Sequence, residues 1–380
     1  MEVYINKVSA FLPNEAVNNE NIENVLGQIG SKTSRAKKII LKSNKIKERY
    51  YAIDSDTKKI THTNSQLTAL AINKLSSQGI NLDNLDLLVC GTTIPDQIMP
   101  NHAIMVHGEL GIKPLEVVST AGICLSGTTA LKYAYTSIKS GEADFAVSTG
   151  SENSSAAMRA ENFKKEYEKK VEQLEKNLEL AFEKDFLRWM LSDGAGAMAL
   201  SNKANEESVS LRIDIIFSRS YANEQKACMY SGGEKLEDGS IKGWREYSQE
   251  EWLSQSIYSV KQDVKLLNEK IVEYTVIKPL MEMLEKKLFV PEEIDWFLPH
   301  YSSGYFRNKL YVGMKEASCD IPQEKWFTNL SYKGNTGSAS IYIMIEELFN
   351  NDKFKKGEKV LCYIPESGRF STAFILLEVV

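Results

Sequence analysis

The chain has 380 residues, of which 43% are hydrophobic, so it can bury a large core and has room for about two or three domains. Its formal net charge of −5 argues against a nucleic-acid partner, and no apolar run reaches the roughly 18 residues that a membrane span requires. Five cysteines without C-x-x-C spacing, only four histidines and an acidic N-terminus predict a reduced, cytoplasmic protein with no metal site and no signal peptide.

A basic segment follows the first predicted strand. The strand runs from Val3 to Leu12, and the region from Ser31 to Arg49 then carries many lysines and arginines, among them Lys37, Lys38 and Lys42. Such a charge run is either the solvated face of a helix or a docking patch for an anionic partner. A phosphopantetheine arm or an acidic carrier protein would be such a partner, and the residues alone leave both interpretations open.

A helix, a strand and an apolar loop come next. The apolar spacing from Asn64 to Leu75 predicts an amphipathic helix. The segment from Leu85 to Thr93 predicts a strand, which runs into the loop from Ile94 to Pro100. That loop is irregular and apolar, and this composition indicates the lip of a pocket.

The stretch from Val117 to Leu131 organises the chain. A β-branched run predicts a buried strand, small residues predict a tight turn, and good helix formers predict a helix that begins at or near Cys124. A thiol at a helix N-terminus faces unpaired N–H groups and the positive end of the dipole, which favour the thiolate. Small neighbours would also let an acyl thioester approach. Taken alone, Cys124 could instead be a buried, inert cysteine packed behind the helix.

The region from Ser154 to Met190 departs from the pattern around it. It is charged, and its large apolar residues are spaced by three or four, which predicts a helical excursion that packs on the body or on a second subunit. The stripe comprises Phe163, Tyr167, Val171, Leu174, Leu178, Phe182 and Phe186. A glycine-rich turn at Asp193 then leads back into a core strand.

The second half contains two chemically distinctive strand or turn positions. A strand from Asp295 delivers His300 at its C-terminal end, and a turn of small residues carries Asn335 into a helix. The other predicted elements are a strand at Leu211–Phe217, a helical region at Val264–Leu288, a short strand at Trp326–Leu330, and a final hairpin pairing Lys359–Ile364 with Ser371–Val379.

The order of these elements repeats. In each half a strand, a small-residue turn and a helix lead to a Gly-Glu pair and another strand. We therefore predict two packed α/β halves, 1–205 with a helical insertion at about 154–190, and 206–380. The C-terminal ends of strands from both halves would then converge, which brings Cys124, His300 and Asn335 to one site.

With these motifs in this order, the chain resembles the β-ketoacyl-carrier-protein synthase III family of the thiolase superfamily, nearly end to end. The matching pieces are Ile46–Arg49, Ala121–Gly127, Ser140-Gly141, Asp193–Ala197, Trp296–His300 and Gly334–Thr336. The resemblance implies a five-layered αβαβα fold, a homodimer, and a Cys-His-Asn triad that maps onto Cys124, His300 and Asn335.

The resemblance also implies a chemistry without cofactor or metal. Cys124 would hold an acyl group as a thioester, and His300 and Asn335 would stabilise an enolate formed from a malonyl thioester. The backbone N–H of Cys124, with one from the Ser367-Gly368 turn, would hold the oxyanion formed during acylation. The implied partners are an acyl carrier protein and acyl thioesters.

Several departures from the family pattern surround the expected acyl tunnel. No aromatic residue lies in Lys38–Asn44, where the family clamps the coenzyme A adenine, so the lysines there are expected to receive an acyl carrier protein. Tyr301-Ser302-Ser303 follows the histidine, Pro365–Phe370 replaces a glycine-rich loop, and the Ser154–Met190 region is long. These changes resemble the branch that makes dialkylresorcinol and cyclohexanedione-type products from two acyl chains.

The long region admits two interpretations. Phe182 and Phe186 either line a wall or lid of the acyl tunnel, or belong to a helical pair that caps the outside of the body. For the whole chain, the alternatives to a secondary-metabolite ketosynthase are a fatty-acid initiation enzyme and a catalytically silent partner subunit. A thiolase fits less well, because Cys362, the candidate for its second cysteine, falls inside a predicted strand.

Overall fold

A computed structural model describes residues 1–29, 37–166 and 187–380. In this part of the chain the helices are α1 Ile22–Leu26, α2 Lys37–Asn44, α3 Asn64–Ser77, α4 His102–Leu110, α5 Leu125–Ser140, α6 Ser154–Met158, α7 Gln249–Ser254, α8 Val264–Val272, α9 Lys278–Glu285, α10 Arg307–Glu316, α11 Leu330–Lys333 and α12 Ser340–Asn350. A π-helical turn, Glu273–Ile277, joins α8 to α9. None of the described helices is both long and apolar enough to cross a membrane.

The strands are β1 Tyr4–Phe11, β2 Val17–Asn18, β3 Glu48–Arg49, β4 Leu87–Thr92, β5 Glu116–Ala121, β6 Phe145–Glu152, β7 Gly194–Ser201, β8 Leu211–Ser220, β9 Met229–Tyr230, β10 Gly233–Lys235, β11 Ile241–Gly243, β12 Lys261–Gln262, β13 Trp296–Pro299, β14 Lys359–Glu366 and β15 Ser371–Val379. Nine of them form one sheet in the order β13-β14-β15-β8-β1-β7-β6-β4-β5. The strands β1 and β8 join its two halves through only the pairs Tyr4↔Arg212 and Ile5↔Leu211.

Helices cover both faces of each half-sheet, which gives five layers. Helices α3 and α4 pack on the outer face of the first half, whereas α8, the π turn and α10 pack on the outer side of the second. Helices α5 and α12 lie between the two halves. Side chains alternate accordingly, because successive residues of a strand point to opposite faces: Leu88 joins the outer core, and Leu87 joins the central core with residues of both halves. The predicted thiolase-like αβαβα fold is confirmed.

The two central helices approach the sheet and each other very closely. A Cβ atom added at Gly127 of α5 or at Gly150 of β6 would collide with the carbonyl oxygen of Ser338. Only glycine fits at such a contact. The close packing holds the start of α5, which carries Cys124, next to the turn that carries Asn335.

Two predicted features differ or lie outside the described residues. The segment predicted as a strand at Trp326–Leu330 has one bridge, between Trp326 and Phe297, and then continues as helix α11. Its large side chains are buried against β13, with the Trp326 and Phe297 rings 5.0 Å apart, and this burial produced a strand-like pattern. Most of the apolar stripe, including Phe182 and Phe186, lies outside the described residues. The division at residue 205 stays a prediction.

Candidate active site

A cavity of about 420 Å³ lies where three parallel strands of the first half end. Cys124, Glu152 and Asn335 contribute polar groups to its lining. Large apolar side chains also line it: Ile60, Ile94, Ile123, Met158, Leu187, Met190, Leu191, Met229 and Val260. We call this cavity the chamber. Its size and its mixture of many apolar side chains with a few polar groups are typical of a site for a small organic ligand.

Cys124 forms the N-cap of α5, as the sequence predicted. The expected preference for the thiolate is wrong, however. Burial, followed by the charges of Glu152 and Glu366, raises the pKa of the Cys124 thiol well above its ordinary value. These carboxyl groups come from other strands, so the local sequence around the cysteine did not reveal them. The thiol is therefore neutral at rest, and its proton has to leave as the sulfur is acylated.

His300 directly follows β13. Its backbone N–H donates to the carbonyl oxygen of Tyr363 at 2.8 Å, which fixes it beside β14. Together with Cys124 it lines a second cavity, of about 50 Å³. Burial lowers the pKa of His300 to about 4. At neutral pH the imidazole is uncharged, so one ring nitrogen can donate a hydrogen bond to a developing negative charge.

Asn335 is held with a defined amide orientation. Its side-chain oxygen Oδ1 accepts a hydrogen bond from the Gly337 N–H at 3.0 Å, in a turn where Gly337 has a positive φ of 52°. Its backbone N–H donates to the Met190 carbonyl oxygen at 3.1 Å. With Oδ1 engaged, the Nδ2 amide is the group that can serve a ligand in the chamber. Sequence reasoning expected a donor at this position.

Cys124 therefore lines the chamber together with Asn335, and it lines the small cavity together with His300. Ser302 and Ser367 also line both cavities. In the sequence, Ser302 belongs to the segment after the histidine that departs from the family pattern, and Ser367 belongs to the turn predicted to supply an oxyanion donor. Neither the size of the chamber nor the meeting of the two cavities at the thiol could be predicted from local patterns.

The turn predicted to supply a second oxyanion donor has a different arrangement. The Gly368 N–H donates to Glu366 Oε1 at 3.0 Å, so a carboxyl group of the same turn already occupies it. Burial raises the pKa of Glu366. The Gly368 N–H is therefore engaged within its own turn. The acceptor is the acidic Glu366 of the Pro365–Phe370 segment. A second oxyanion donor from the Ser367-Gly368 turn stays a prediction.

Glu152 is the main functional candidate that sequence reasoning missed. It is the last residue of β6 and 4% exposed, and its Oε1 accepts hydrogen bonds from the backbone N–H and hydroxyl of Thr93 and from the Ser338 N–H. Burial raises its pKa from 4.5 to about 7. An acidic residue at the carboxyl end of a parallel strand, in the same half as the strand that precedes Cys124, was the signal that could have identified it.

The lysines of α2 separate into two kinds. Lys37 Nζ lies 2.6 Å from Glu23 Oε2 and its side chain is only 15% exposed, so it is committed to an ion pair within the protein. Lys38 and Lys42 are exposed. Lys37 is therefore poorly placed to meet a partner, and the role of Lys38 and Lys42 in docking stays a prediction.

A groove leads from α2 toward the thiol. It has a volume of about 190 Å³, and Ile39 and Ser43 of α2 form part of its wall. Leu267 and Phe306 line both this groove and the small cavity that contains Cys124 and His300. The groove and the small cavity therefore adjoin, and we call them together the passage.

No cluster of three or more histidine, cysteine, aspartate or glutamate residues suited to a metal ion occurs in the described ranges. The cysteines at 90, 124, 228, 319 and 362 are all free thiols. Cys362 is fully buried in β14 among apolar side chains of the central core, as its predicted strand position implied.

Comparisons with known proteins agree with this architecture. Residues 284–373 match the family described as 3-oxoacyl-[acyl-carrier-protein] synthase III C terminal, and residues 53–189 match the thiolase N-terminal domain. A β-ketoacyl-[acyl-carrier-protein] synthase III from Clostridium perfringens is 27% identical, over 83% of each chain.

Two solved structures have the same fold. The tetronic acid condensing enzyme AbyA1 superimposes with a TM-score of 0.73 at 19% identity, over 99% of each chain. A cysteine-to-serine variant of Xanthomonas campestris OleA, with bound lauric acid and lauroyl-CoA, superimposes with a TM-score of 0.72 at 20% identity, over 100% of this chain and 99% of that one. At such identities the superpositions establish the fold alone.

Proposed function

We propose that this chain, which belongs to the 3-oxoacyl-[acyl-carrier-protein] synthase III family of the thiolase superfamily and is a condensing acyltransferase, accepts an acyl group on Cys124 and joins it to a carrier-bound malonyl or β-ketoacyl thioester in secondary metabolism. The observation that carries this proposal is the position of the thiol. Cys124 is shared by an apolar chamber that contains Asn335 and a narrow cavity that contains His300.

The first half-reaction is a thioester exchange. A bond forms between Cys124 Sγ and the acyl carbon, the bond from that carbon to the carrier sulfur breaks, and the thiol proton ends on the released carrier thiol. Because burial keeps the resting thiol neutral, proton removal accompanies the attack. The apolar side chains of the chamber would then receive the acyl chain, whose burial favours the acylated state.

The second half-reaction needs a carbanion. With a malonyl thioester, loss of carbon dioxide leaves its electron pair in an enolate, whose oxygen would accept hydrogen bonds from the His300 ring and the Asn335 amide. The enolate carbon attacks the acyl carbon, and Cys124 leaves as a thiolate that then takes up a proton. Both donors are pre-positioned, His300 by its backbone contact with Tyr363 and Asn335 by Gly337.

The passage supports a carrier protein as donor. Lys38 and Lys42 stand exposed on α2, and the adjoining groove reaches the small cavity beside Cys124. An acidic carrier could be guided by the lysines while its thioester-bearing arm follows the groove. We propose that such a carrier delivers both the acyl group and the second thioester.

We also propose that the protein forms a homodimer and acts in the cytoplasm. Strand β5 is an edge strand of the large sheet, and its Val117 and Val118 are only half-buried. In the loop before α4, Ile98 is 67% and Met99 82% exposed. An open strand edge beside exposed apolar residues suits a second copy of the chain.

Fatty-acid initiation is the second candidate, because the curated relative from Clostridium perfringens carries the name β-ketoacyl-[acyl-carrier-protein] synthase III. The chamber favours a longer acyl group, since about 420 Å³ exceeds the space that a two-carbon starter fills. Comparing the acyl lengths that the protein accepts separates the two candidates.

Intact-mass spectrometry tests the acyl-transfer proposal. Purified protein incubated with a panel of carrier-bound acyl chains should gain the mass of one acyl group, and peptide mapping should place it on Cys124. Cys124→Ala should lose the mass gain while keeping the thermal unfolding of the parent. Acylation of Cys90 or Cys362, or none with any carrier, would overturn the assignment.

A further inference from the structure

Glu152 is a carboxyl group in the wall of the chamber that acyl transfer to Cys124 does not by itself require. It ends β6, and Thr93 follows β4, the strand that lies between β6 and β5. Cys124 follows β5 at the same edge of the sheet. The carboxyl group and the thiol therefore line one cavity from the ends of two strands that flank β4.

The carboxyl group is held in place by neutral donors. Oε1 accepts from Thr93 twice and from the Ser338 N–H at 3.1 Å, and a Cβ atom at Gly337 would lie 3.0 Å from it. Gly337 and Ser338 belong to the turn that orients Asn335. Glu152 is thus fixed relative to the Asn335 amide by contacts two and three residues along that turn.

A purely structural role does not require an acid at this position. Within the described ranges, no lysine or arginine forms an ion pair with Glu152, so its ionised form is buried without a counter-charge, at a cost in stability. The amide oxygen of a glutamine could accept the same hydrogen bonds. Unlike an amide, an acid at this position can exchange a proton with a molecule in the chamber.

We propose that Glu152 is the catalytic base that removes the α-proton of a β-ketoacyl thioester bound in the chamber, so that this enzyme can form its carbon–carbon bond without decarboxylation. The inference rests on the proposed condensing function and names the class of its second substrate. A β-ketoacyl thioester bears an α-carbon between two carbonyl groups, and a carboxylate can deprotonate it when donors stabilise the enolate.

The step balances without any other reactant. The α C–H bond breaks, its proton goes to the Glu152 carboxylate, and its electron pair forms the enolate, whose oxygen accepts from the Asn335 Nδ2 amide. The enolate carbon then attacks the acyl carbon on Cys124, a carbon–carbon bond forms and the carbon–sulfur bond breaks. The leaving thiolate recovers the proton from Glu152, which restores both groups. The raised pKa of Glu152, about 7, suits a group that both accepts and returns a proton near neutral pH.

The test compares two second substrates on the same acylated enzyme. A malonyl thioester makes its carbanion by losing carbon dioxide, whereas a β-ketoacyl thioester needs a base. Glu152→Gln should lower the rate with carrier-bound β-ketoacyl thioester by about 10²–10⁴-fold and the rate with malonyl thioester far less. The ratio of the two rates is the decisive quantity, because a general disturbance of the site would lower both together.

Glu366→Gln is the matched control. Glu366 is a half-buried carboxyl group whose charge also acts on the Cys124 thiol, but it accepts a hydrogen bond from the Gly368 N–H in its own turn. This change should alter both rates by a similar factor. Glu152→Asp keeps an acid with a shorter reach and should give an intermediate ratio, and it serves as the second variant if the glutamine substitution lowers folding.

The outcomes separate this inference from the proposed function. Equal losses with both second substrates in Glu152→Gln, or no loss, would overturn the role of Glu152. So would a parent protein that condenses malonyl thioester and never β-ketoacyl thioester, which would leave acyl transfer to Cys124 intact. A parent protein that takes no acyl group on Cys124 would overturn both.

Discussion

The two spaces that meet at Cys124 differ in size and in chemistry. The chamber is large and apolar, and it contains a carboxyl group at Glu152 and an amide at Asn335. The passage is narrow beside the thiol, contains a neutral imidazole at His300, and leads to the exposed lysines of α2. The contrast suggests that the two spaces have different roles. The chamber would hold the growing product and exchange protons, whereas the passage would deliver substrates.

The largest effect should come from removing the donor on each side. His300→Ala and Asn335→Ala should still take an acyl group on Cys124, because neither side chain forms the thioester bond. Each should lower decarboxylative condensation by about 10²–10³-fold, since a pre-positioned donor to the enolate is lost. Intact mass measures acylation, and release of labelled carbon dioxide from malonyl thioester measures the second step.

The two variants also test whether both spaces serve the same enolate. Similar losses in both variants would mean that the two spaces act on one enolate, as proposed. Near-normal condensation in either variant would remove that residue from the mechanism and would assign the second step to one space alone.

A pH-dependent stability difference should mark the chamber. Burial raises the pKa of Glu152 from 4.5 to about 7, so ionisation is more costly in the folded chain than in the unfolded one. Its contribution therefore favours folding below pH 4.5 and is lost as the pH rises to about 7, a change of about 3 kcal/mol. Relative to the parent, Glu152→Gln should gain free energy of unfolding by about that amount between pH 4 and pH 8.

Chemical denaturation of both proteins across this range measures the difference. The subtraction removes the contributions of other acids, including Asp193 and Glu366, whose pKa values burial also raises. A difference that does not change with pH would contradict a buried, titrating carboxyl group at this position.

The smallest effect is expected at the outer end of the passage. Lys38→Glu and Lys42→Glu should each slow acylation by a carrier-bound substrate by about tenfold at low ionic strength, because they reverse charges that guide an acidic partner. Acylation by the same acyl group on free pantetheine should change little, and high salt should reduce the difference. Stopped-time intact-mass measurements follow both reactions.

Lys356→Glu provides a matched control. Lys356 is also exposed, but it precedes the N-terminal end of β14, and the site lies at the opposite, C-terminal end of β13 and β14. If its charge reversal slowed the carrier as much as the two α2 changes do, overall charge and not the passage would govern docking. Lys37 is not a suitable control, because its ion pair with Glu23 is part of the structure.

Much of the reactive framework was open to prediction because it depends on short stretches of chain. A β-branched run, a tight turn and a helix predict the place of Cys124 at the start of α5, and a short strand predicts His300 at its end. The fold class followed from the repeated order of elements and from the resemblance, and it is confirmed. The roles of these residues and of Phe182 and Phe186 stay predictions.

The tertiary structure alone decided the electrostatics and the spaces around the thiol. Burial, followed by the charges of Glu152 and Glu366 from other strands, raises the pKa of the Cys124 thiol, which is the reverse of the shift expected at a helix N-terminus. Glu366 occupies the Gly368 N–H, and Glu23 pairs with Lys37, neither of which the residue patterns indicated. The physical reason is the separation along the chain of the residues that each effect involves. Backbone propensity and hydrophobic period act over a few residues, so a sequence reveals them directly. Desolvation, charge pairing and cavity shape arise from groups far apart in the chain, and they exist only once the two half-sheets have packed on α5 and α12.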